Sequence, residues 1–422
     1  MCLESRFFFV ILIFVMIIKP KVRANICMNA HPQGCAKETE NQIEYAKSQK
    51  IKRGIKSVSE CGKGPKFVLV LGASTGYGLA SRITAAFEYG ADTIGLSFEK
   101  EPLENKTATP GWYNNLAFDR AAKAEGLISE TFNADVYSHQ TRKMVIEEAK
   151  KLGRKFDLVI YSIASSMRTD PDTGEVYQSC VKTQDCYYKG WGINILQDCL
   201  VDGESEIATE EDIRNSVKVM GGEDWNLWIS QLLEADVLAP GCRTLAYSYV
   251  GPVESYPIYR DGTIGHAKKH LEETSHKLSK LLAEKLGGSA FISINKGVVT
   301  RSSAVIPVIS LYLSVLFKIM KEKGIHEGCI EQMDRLFAER LYTGADNAAG
   351  KVPVDENGRI RLDEEELRDD VQKEAAILMA QANDDNFHDI CDVKGYVHDF
   401  YAVNGFDIEG VDYSADIPVD KI

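Results

Sequence analysis

The chain has 422 residues, of which 44% are hydrophobic and 26% are charged, proportions that are ordinary for a globular protein. Its formal net charge of −13 argues against nucleic acid as the main partner, because binding to phosphates needs a basic surface. The ten cysteines form no CxxC pair, which favours reduced thiols in an intracellular protein. Cys27, His31 and Cys35 are residue types that bind metal ions, but they supply only three ligands. Because Pro32 and Gly34 lie between them, a turn is favoured, and we predict no metal site.

An apolar run at residues 7–18 opens the chain, and it is shorter than the about 20 residues that span a bilayer. Three interpretations are open: a gene-calling artefact upstream of a true start at Met16, a signal peptide or anchor, and a genuine structured extension. We favour the artefact, because the charges flanking the run suit a signal peptide poorly. Residues 1–15 then lie outside a single domain over residues 16–422, whose first strand is predicted at residues 16–20.

The clearest motif is a strand, a glycine turn and a helix at residues 67–82. Five consecutive apolar residues predict a buried parallel strand. Gly72, Gly76 and Gly78 follow with the spacing G-x3-G-x-G, and a helical pattern comes next. Such a unit binds the pyrophosphate of a dinucleotide at the N-terminus of its helix. The alternative is a glycine turn that only packs the helix against the strand.

The second strand predicts which dinucleotide binds. It is predicted at residues 93–98 and ends at Glu99, 21 residues after Gly78. A carboxylate at this position accepts hydrogen bonds from the adenosine ribose and repels a 2′-phosphate, which favours NADH over NADPH. The sequence contains one dinucleotide fingerprint, and we therefore predict no flavin.

Strands and helices alternate through a nucleotide-binding core at about residues 66–300. Further strands are predicted at residues 129–134, 156–162, 244–250 and 290–294. Helices are predicted at residues 38–57, 116–125, 140–152, 211–220, 224–235 and 263–286, the last with Thr263 as its N-cap. This alternation predicts an α/β fold with a doubly wound, parallel, Rossmann-type sheet. Ligands bind at the carboxyl ends of such strands, so we expect Ile163 and Ala164 beside the cofactor.

Three regions depart from this alternation. Residues 167–210 contain turn signals, aromatic residues and three cysteines, and we interpret them as an insertion over the active-site mouth, with a plain surface excursion as the alternative. Residues 304–320 are strongly apolar and predict a buried helix, interrupted by Pro307, within a C-terminal helical part at residues 301–422. The acidic run at residues 363–370 predicts the solvated start of a helix.

Short-chain reductases pair a catalytic tyrosine with a lysine four residues later, and no tyrosine here has that partner. Tyr259, Tyr312 and Tyr342 each have a lysine nine residues later. Nine residues of continuous helix would turn through about 900° and place the pair on opposite faces. Tyr259, with Lys268, is favoured because it follows a strand and lies just ahead of a predicted helix. Tyr312 lies in an apolar helix and suits the core, and no strand precedes Tyr342.

Around Tyr259-x8-Lys268 the sequence resembles the trans-2-enoyl-CoA reductases and the V-type enoyl-acyl-carrier-protein reductases, which are related to the short-chain dehydrogenases. Other motifs that carry this resemblance are NICMNAHPQGC, LGASTGYGLASRITAAF, TPGWYNNLAFD, KVMGGEDW, NKGVVTRSSAVIPVISLY and HEGCIEQ. The resemblance extends from Met16 to the C-terminus, and residues 180–206 match poorly.

The resemblance implies NADH-dependent reduction of the 2,3-trans double bond of an enoyl-CoA or enoyl-acyl-carrier protein in fatty acid biosynthesis. We expect a cytoplasmic protein, because a nicotinamide enzyme needs a cytosolic pool of its cofactor. We also expect no stable membrane association and a monomer, although the sequence does not settle the oligomeric state. Tyr259 would be the proton donor, Lys268 a ligand of the nicotinamide ribose, and Tyr249 a substrate contact, unless Tyr249 is a buried strand tyrosine with a satisfied hydroxyl. NADH would lie along Gly72, Ala73, Ser74, Thr75, Gly76, Tyr77, Phe98, Glu99, Asp135, Val136, Ile163, Ala164, Lys268, Val298, Val299 and Thr300.

Two other functions are compatible with the nucleotide-binding motif. A short-chain dehydrogenase that reduces a ketone would need the tyrosine–lysine pair at a spacing of four, which is absent. A non-catalytic NADH-sensing protein would keep Glu99 and the glycines but would need neither Tyr259 nor Lys268.

Overall fold

The computed structural model describes residues 17–23, 25–55, 64–303, 306, 308–343, 351–420 and 422. The proposed start at Met16 and the interpretations of residues 1–15 lie outside these ranges. The strand predicted at residues 16–20 is wrong for its described part, because residues 17–20 form no strand and the first strand of the described residues is Val22–Arg23.

The strands are β1 (Val22–Arg23), β2 (Ile26–Cys27), β3 (Phe67–Leu71), β4 (Asp92–Ser97), β5 (Ser129–Asn133), β6 (Phe156–Tyr161), β7 (Met167–Thr169), β8 (Val176–Gln178), β9 (Tyr188–Asn194), β10 (Cys199–Ser205), β11 (Leu238–Ser248), β12 (Ser289–Ile294) and β13 (Ile360–Arg361). The helices are α1 (Pro32–Lys52), α2 (Gly76–Ile83), α3 (Pro110–Ala124), α4 (His139–Lys151), α5 (Glu210–Met220), α6 (Glu223–Glu234), α7 (Tyr256–Tyr259), α8 (Thr263–Leu286), α9 (Ile309–Glu322), α10 (Cys329–Leu336), α11 (Asp369–Gln381), α12 (Phe387–Ile390) and α13 (Val393–Ala402). Turns of π-helix extend α2 over Thr84–Glu88 and α10 over Phe337–Leu341.

A parallel sheet of seven strands, counted over the described residues, forms the centre of the molecule in the order β13-β12-β11-β6-β3-β4-β5. The chain runs from β3 outward to β5, then returns to β6 and continues outward to β13. The order therefore reverses between β3 and β6, which is where open α/β sheets bind ligands. The predicted doubly wound parallel sheet is confirmed.

Strand β3 is buried at all five positions because helices cover both faces of the sheet. Val68 and Val70 pack on one side with residues of α1, α2 and α10. Phe67, Leu69 and Leu71 pack on the other side with residues of α4, α6 and α8. The apolar run thus supplies two cores from alternate residues.

Several helix boundaries differ from the predictions for local reasons. Helix α1 begins at Pro32, six residues before the prediction, with the N–H of Gly34 donating to Nδ1 of His31 at 3.1 Å. Helix α3 likewise begins early, at Pro110, because proline suits the first turn of a helix. Thr263 is not the N-cap of α8: that position belongs to Gly262, and the Thr263 hydroxyl donates to the carbonyl of Cys180 at 2.6 Å.

The predicted insertion forms two antiparallel hairpins, β7–β8 and β9–β10. The second hairpin packs Ile193 and Leu200 into an apolar cluster with α9. The N–H of Ile193 also donates to the hydroxyl of Ser310, the second residue of α9, at 2.8 Å. The base of the insertion is tied to α8, since the N–H of Thr263 donates to the carbonyl of Lys182 at 2.9 Å.

The C-terminal part surrounds α9, which is almost entirely buried and packs against α11 and α13. The structure corrects the prediction that the acidic run at residues 363–370 is the solvated start of a helix. Helix α11 begins only at Asp369, whereas Asp363 and Glu366 are buried. Within the described ranges, none of the helices is both long and apolar enough to cross a membrane.

Candidate active site

The glycine turn lies at the carboxyl end of β3, where the sheet order reverses. Gly72 has φ +88°, and a Cβ there would lie 2.1 Å from the carbonyl oxygen of Ser162. A Cβ on Gly78 would lie 1.9 Å from the carbonyl oxygen of Gly72. Thr75, the N-cap of α2, makes no side-chain capping hydrogen bond, so the first N–H groups of this helix are available to an anion. This bare backbone surface fits the pyrophosphate of a dinucleotide.

Loops after β6 and β12 converge on this turn. The Cδ1 atom of Ile163 lies 3.3 Å from the position that a Cβ of Gly72 would take. The methyl carbon of Thr300 lies 3.5 Å from the position that a Cβ of Gly76 would take. The hydroxyl of Tyr77 donates to the carbonyl of Lys296 at 2.7 Å. The structure therefore brings together residues that are far apart in the sequence: Tyr77 and Lys296 are separated by 219 positions.

Glu99 lies beside the glycine turn. Its Oε1 accepts a hydrogen bond from the hydroxyl of Ser74 at 2.6 Å, and its Oε2 lies 3.8 Å from the guanidinium of Arg301. The side chain is 8% exposed. A Cβ on Gly111 would lie 2.2 Å from the carboxylate, so this glycine leaves room for it. Glu99 is therefore held where an adenosine ribose bound at the turn would meet a carboxylate.

The other predicted cofactor residues lie at neighbouring strand ends. Asp135 and Val136 follow β5, where the N–H of Tyr137 donates to Oδ1 of Asp135 at 3.0 Å. Ala164 is exposed after β6, and Phe98 is 78% exposed after β4. The remaining members are the buried Val298 and Val299 after β12, and Ala73 in the glycine turn.

Tyr259 ends the short helix α7, and its side chain is buried at 7% exposure. Its ring meets that of Tyr249 edge-on, with the ring centroids 4.9 Å apart. Within the described part of the chain, its hydroxyl has no hydrogen-bond partner. Burial, aided by the negative charge of Glu366, raises the pKa of Tyr259 well above its usual range. The group is therefore a protonated phenol with a free donor.

Lys268 lies in the second turn of α8. Its ammonium donates to the hydroxyl of Ser248 at 3.2 Å, and burial lowers its pKa to about 8. Ser248 and Tyr249 are consecutive, so Lys268 and Tyr259 contact adjacent residues at the end of β11. A bend at Gly262 makes the spacing of nine possible, and a Cβ there would lie 2.4 Å from the carbonyl oxygen of Lys182.

Tyr249 is anchored by a carboxylate from the far end of the chain. Its hydroxyl donates to Oε1 of Glu366 at 2.8 Å, and the hydroxyl of Tyr312 donates to the same oxygen at 2.8 Å. The N–H of Gly297 donates to Oε2 at 2.6 Å. Burial raises the pKa of Glu366, an effect that the positive charge of Lys296 and these hydrogen bonds oppose. The Tyr249 hydroxyl is thus satisfied, as the alternative of a buried strand tyrosine predicted.

A narrow cavity of about 40 Å³ lies beside Tyr259. Tyr188 from the second hairpin, Ile258, Val308 and Met379 contribute to its mainly apolar wall. The insertion thus reaches the site, and an apolar chain attached to a group at Tyr259 would meet this wall.

The comparisons with known proteins agree over nearly the whole chain. The model "NAD(P)H binding domain of trans-2-enoyl-CoA reductase" matches residues 17–104, and "Trans-2-enoyl-CoA reductase catalytic region" matches residues 106–342. Over 402 residues, the sequence is 56% identical to the trans-2-enoyl-CoA reductase [NADH] of Treponema denticola, covering 95% of this chain and 98% of that protein. This chain belongs to the trans-2-enoyl-CoA reductase family.

Further relatives include proteins named trans-2-enoyl-CoA reductase and proteins named enoyl-[acyl-carrier-protein] reductase. The enoyl-[acyl-carrier-protein] reductase [NADH] of Pseudoalteromonas atlantica is 47% identical over 398 residues, covering 94% of this chain and 97% of that protein. The crystal structure of the Treponema denticola enzyme with NAD matches with a TM-score of 0.91 and 55% identity, over 96% of this chain and 100% of that one. A third model, "Enoyl reductase FAD binding domain", matches residues 354–417.

Sequence reasoning about the reductase missed Ser248, Tyr188 and Glu366. Ser248 is the last residue of β11 and lies inside the strand predicted at residues 244–250, where a search for polar residues near the strand end would have found it. Tyr188 and Glu366 carried no such signal, because one lies in the poorly matching insertion and the other in an acidic run. Tyr312, interpreted as a core residue, is indeed buried, but its hydroxyl joins the carboxylate that holds Tyr249.

Proposed function

We infer that this protein reduces the 2,3-trans double bond of an enoyl thioester with NADH, as a step of fatty acid biosynthesis. The observation that carries the inference is the buried phenol of Tyr259, which has a free donor beside the nucleotide-binding edge of the sheet. The family of the chain and its 56% identity to a reductase named for NADH support the same conclusion.

The chain's own groups suit the chemistry of this reduction. Bound NADH supplies the hydride that reaches C3 of the substrate, and negative charge then develops on the thioester oxygen. The phenol of Tyr259, kept protonated by burial, can donate a hydrogen bond to that oxygen and stabilise the charge. It can also act as a general acid. Lys268 would bind the nicotinamide ribose, and Tyr249 would contact the thioester substrate.

The cofactor contacts are proposed from the surface around the glycine turn. The N-terminus of α2 would receive the pyrophosphate, and Glu99 would bind the adenosine ribose. Ile163 and residues 298–300 would line the nicotinamide side, since both loops reach the turn at Gly72 and Gly76. The other residues assigned to NADH in the sequence would complete the binding surface.

We propose that no flavin takes part, although residues 354–417 match a model named for FAD. This stretch, which is fully described, contains one two-residue strand and helices that pack on α9. It has no strand–glycine–helix unit like the one at Gly72. Its Gly358, Gly405 and Gly410 lie in turns, and a Cβ on Gly395 would meet Asp392. These residues do not fit the pyrophosphate of a dinucleotide.

The carrier of the acyl group is either coenzyme A or acyl-carrier protein. We further propose a monomer that acts in the cytoplasm, where NADH is available, without stable membrane association. The test is the loss of NADH absorbance on addition of crotonyl-CoA, followed by a comparison of kcat/KM with a long-chain enoyl-acyl-carrier protein. We expect turnover on at least one thioester. Tight NADH binding without turnover on either would refute the proposal and favour an NADH sensor.

A further inference from the structure

The turn between β13 and α11 sends a single carboxylate into the site. Glu366 is completely buried and lies at 2.8 Å from the hydroxyls of Tyr249 and Tyr312 and at 2.6 Å from the N–H of Gly297. These three donors come from the end of β11, from α9 and from the loop after β12. Three donors converging on one buried carboxylate bind more strongly than three neutral hydrogen bonds, because the acceptor is charged.

The carboxylate touches both sides of the proposed reaction. Tyr249, which it holds, forms the edge-on ring contact with Tyr259 at 4.9 Å between centroids. Gly297, which it also holds, directly precedes residues 298–300, the proposed lining of the nicotinamide side. A shift of Glu366 would therefore move the wall against which the catalytic phenol rests.

We propose that Glu366 is a positioning residue for enoyl reduction: its carboxylate fixes the ring of Tyr249, and that ring fixes the phenol of Tyr259. The inference rests on the function proposed above. Residues 354–417, the stretch that matches the model named for FAD, would then contribute to this site through the side chain of Glu366.

Replacement by glutamine separates shape from charge. A glutamine has the length of Glu366, but its amide brings two donors to a place where three donors already converge. The negative charge also keeps the phenol of Tyr259 protonated to higher pH. The titratable groups around these two side chains are Tyr249 at the end of β11, Tyr312 on α9, Tyr188 on the hairpin, Lys296 after β12 and Tyr77 on α2.

A double-mutant cycle tests the proposal in the full-length protein, with crotonyl-CoA and saturating NADH. We expect Glu366→Gln and Tyr249→Phe each to lower kcat about 10- to 100-fold, the scale of a small misplacement of reacting groups. We expect the KM for NADH to change less than about threefold, since the glycine turn and Glu99 are untouched. The kcat of the double variant is expected to lie within about threefold of that of the slower single variant, because both changes disrupt the same contact between Glu366 and Tyr249.

Asp363→Asn is the matched control, since Asp363 is a buried acid three residues earlier that pairs with Arg361 at 2.7 Å. We expect its kcat within about threefold of wild type, even if stability falls. A wild-type-like kcat of Glu366→Gln would overturn the proposal. So would single effects that multiply in the double variant.

The comparison of kcat with the KM for NADH gives a readout that a purely structural role would not move, because a general loss of structure would change both. A KM for NADH that rises in Glu366→Gln as much as kcat falls would count against the proposal. If Glu366→Gln does not fold, Glu366→Asp takes its place in the cycle. A wild-type protein without turnover on crotonyl-CoA or on an enoyl-acyl-carrier protein would instead refute the proposed function.

Discussion

Tyr259→Phe separates the catalytic role of the phenol from any structural role. The change removes one oxygen and keeps the ring, including its edge-on contact with Tyr249. Because the hydroxyl has no hydrogen-bond partner within the described residues, its loss leaves no donor or acceptor unpaired in the protein. We therefore expect the free energy of unfolding to change by less than about 0.5 kcal/mol, as for substitutions that break no contact.

The effect on turnover is expected to be large. Loss of one donor to a developing oxyanion costs about 10²–10³ in kcat, or about 2.7–4 kcal/mol of transition-state stabilisation. The assay is NADH oxidation with crotonyl-CoA, with NADH affinity measured separately by fluorescence. We expect the affinity for NADH to stay within about threefold of wild type, because the glycine turn is unaffected.

Tyr312→Phe is the structural comparison for this variant. It removes a hydroxyl that donates to buried Glu366 at 2.8 Å, and hydrogen bonds to charged groups contribute about 1.5–3 kcal/mol to stability. Denaturant unfolding should thus show a clear loss in Tyr312→Phe and almost none in Tyr259→Phe. A Tyr259→Phe enzyme with kcat within about threefold of wild type would refute the assignment of the proton donor.

Three further changes test the cofactor side. Glu99→Ala should lower the preference for NADH over NADPH about 10- to 100-fold in kcat/KM, since it removes a charged hydrogen-bond acceptor and leaves Arg301 to attract a 2′-phosphate; an unchanged preference would exclude Glu99 as the ribose ligand. Gly78→Ala should destabilise the protein by about 1–3 kcal/mol and weaken NADH binding, because its Cβ would lie 1.9 Å from the carbonyl of Gly72; wild-type melting and affinity would contradict the close approach. Lys268→Met should weaken NADH binding and raise the stability of the cofactor-free protein by at most about 3 kcal/mol below pH 8. Burial lowers the pKa of Lys268 from 10.5 to about 8, so its buried charge reduces the free energy of unfolding below pH 8, and this reduction disappears as the pH rises to 10.5. A stability difference between the variant and wild type that does not depend on pH would contradict this.

The nucleotide-binding half could be predicted because its signals are local. A strand buried on both faces shows five consecutive apolar residues, and a turn that approaches an anion needs glycines at set spacings. Glu99 was found from its distance along the chain to Gly78. Helix boundaries were less accurate, since the starts of α1 and α3 depend on prolines whose role in the first turn is clear only once the helix is known.

The partners of the tyrosines were decided by the tertiary structure. Tyr249 and Glu366 are 117 residues apart, and nothing near Glu366 in sequence distinguishes it from neighbouring acids that stay partly or fully exposed, such as Glu365 and Asp369. Composition predicted a solvated run because acids are normally exposed. The chain buries this one because the turn after β13 brings it beneath Tyr249, Tyr312 and Gly297, whose donors compensate the loss of water around the carboxylate. A local pattern can predict which residues form a strand or a turn, but which charge is buried depends on donors contributed by distant parts of the chain.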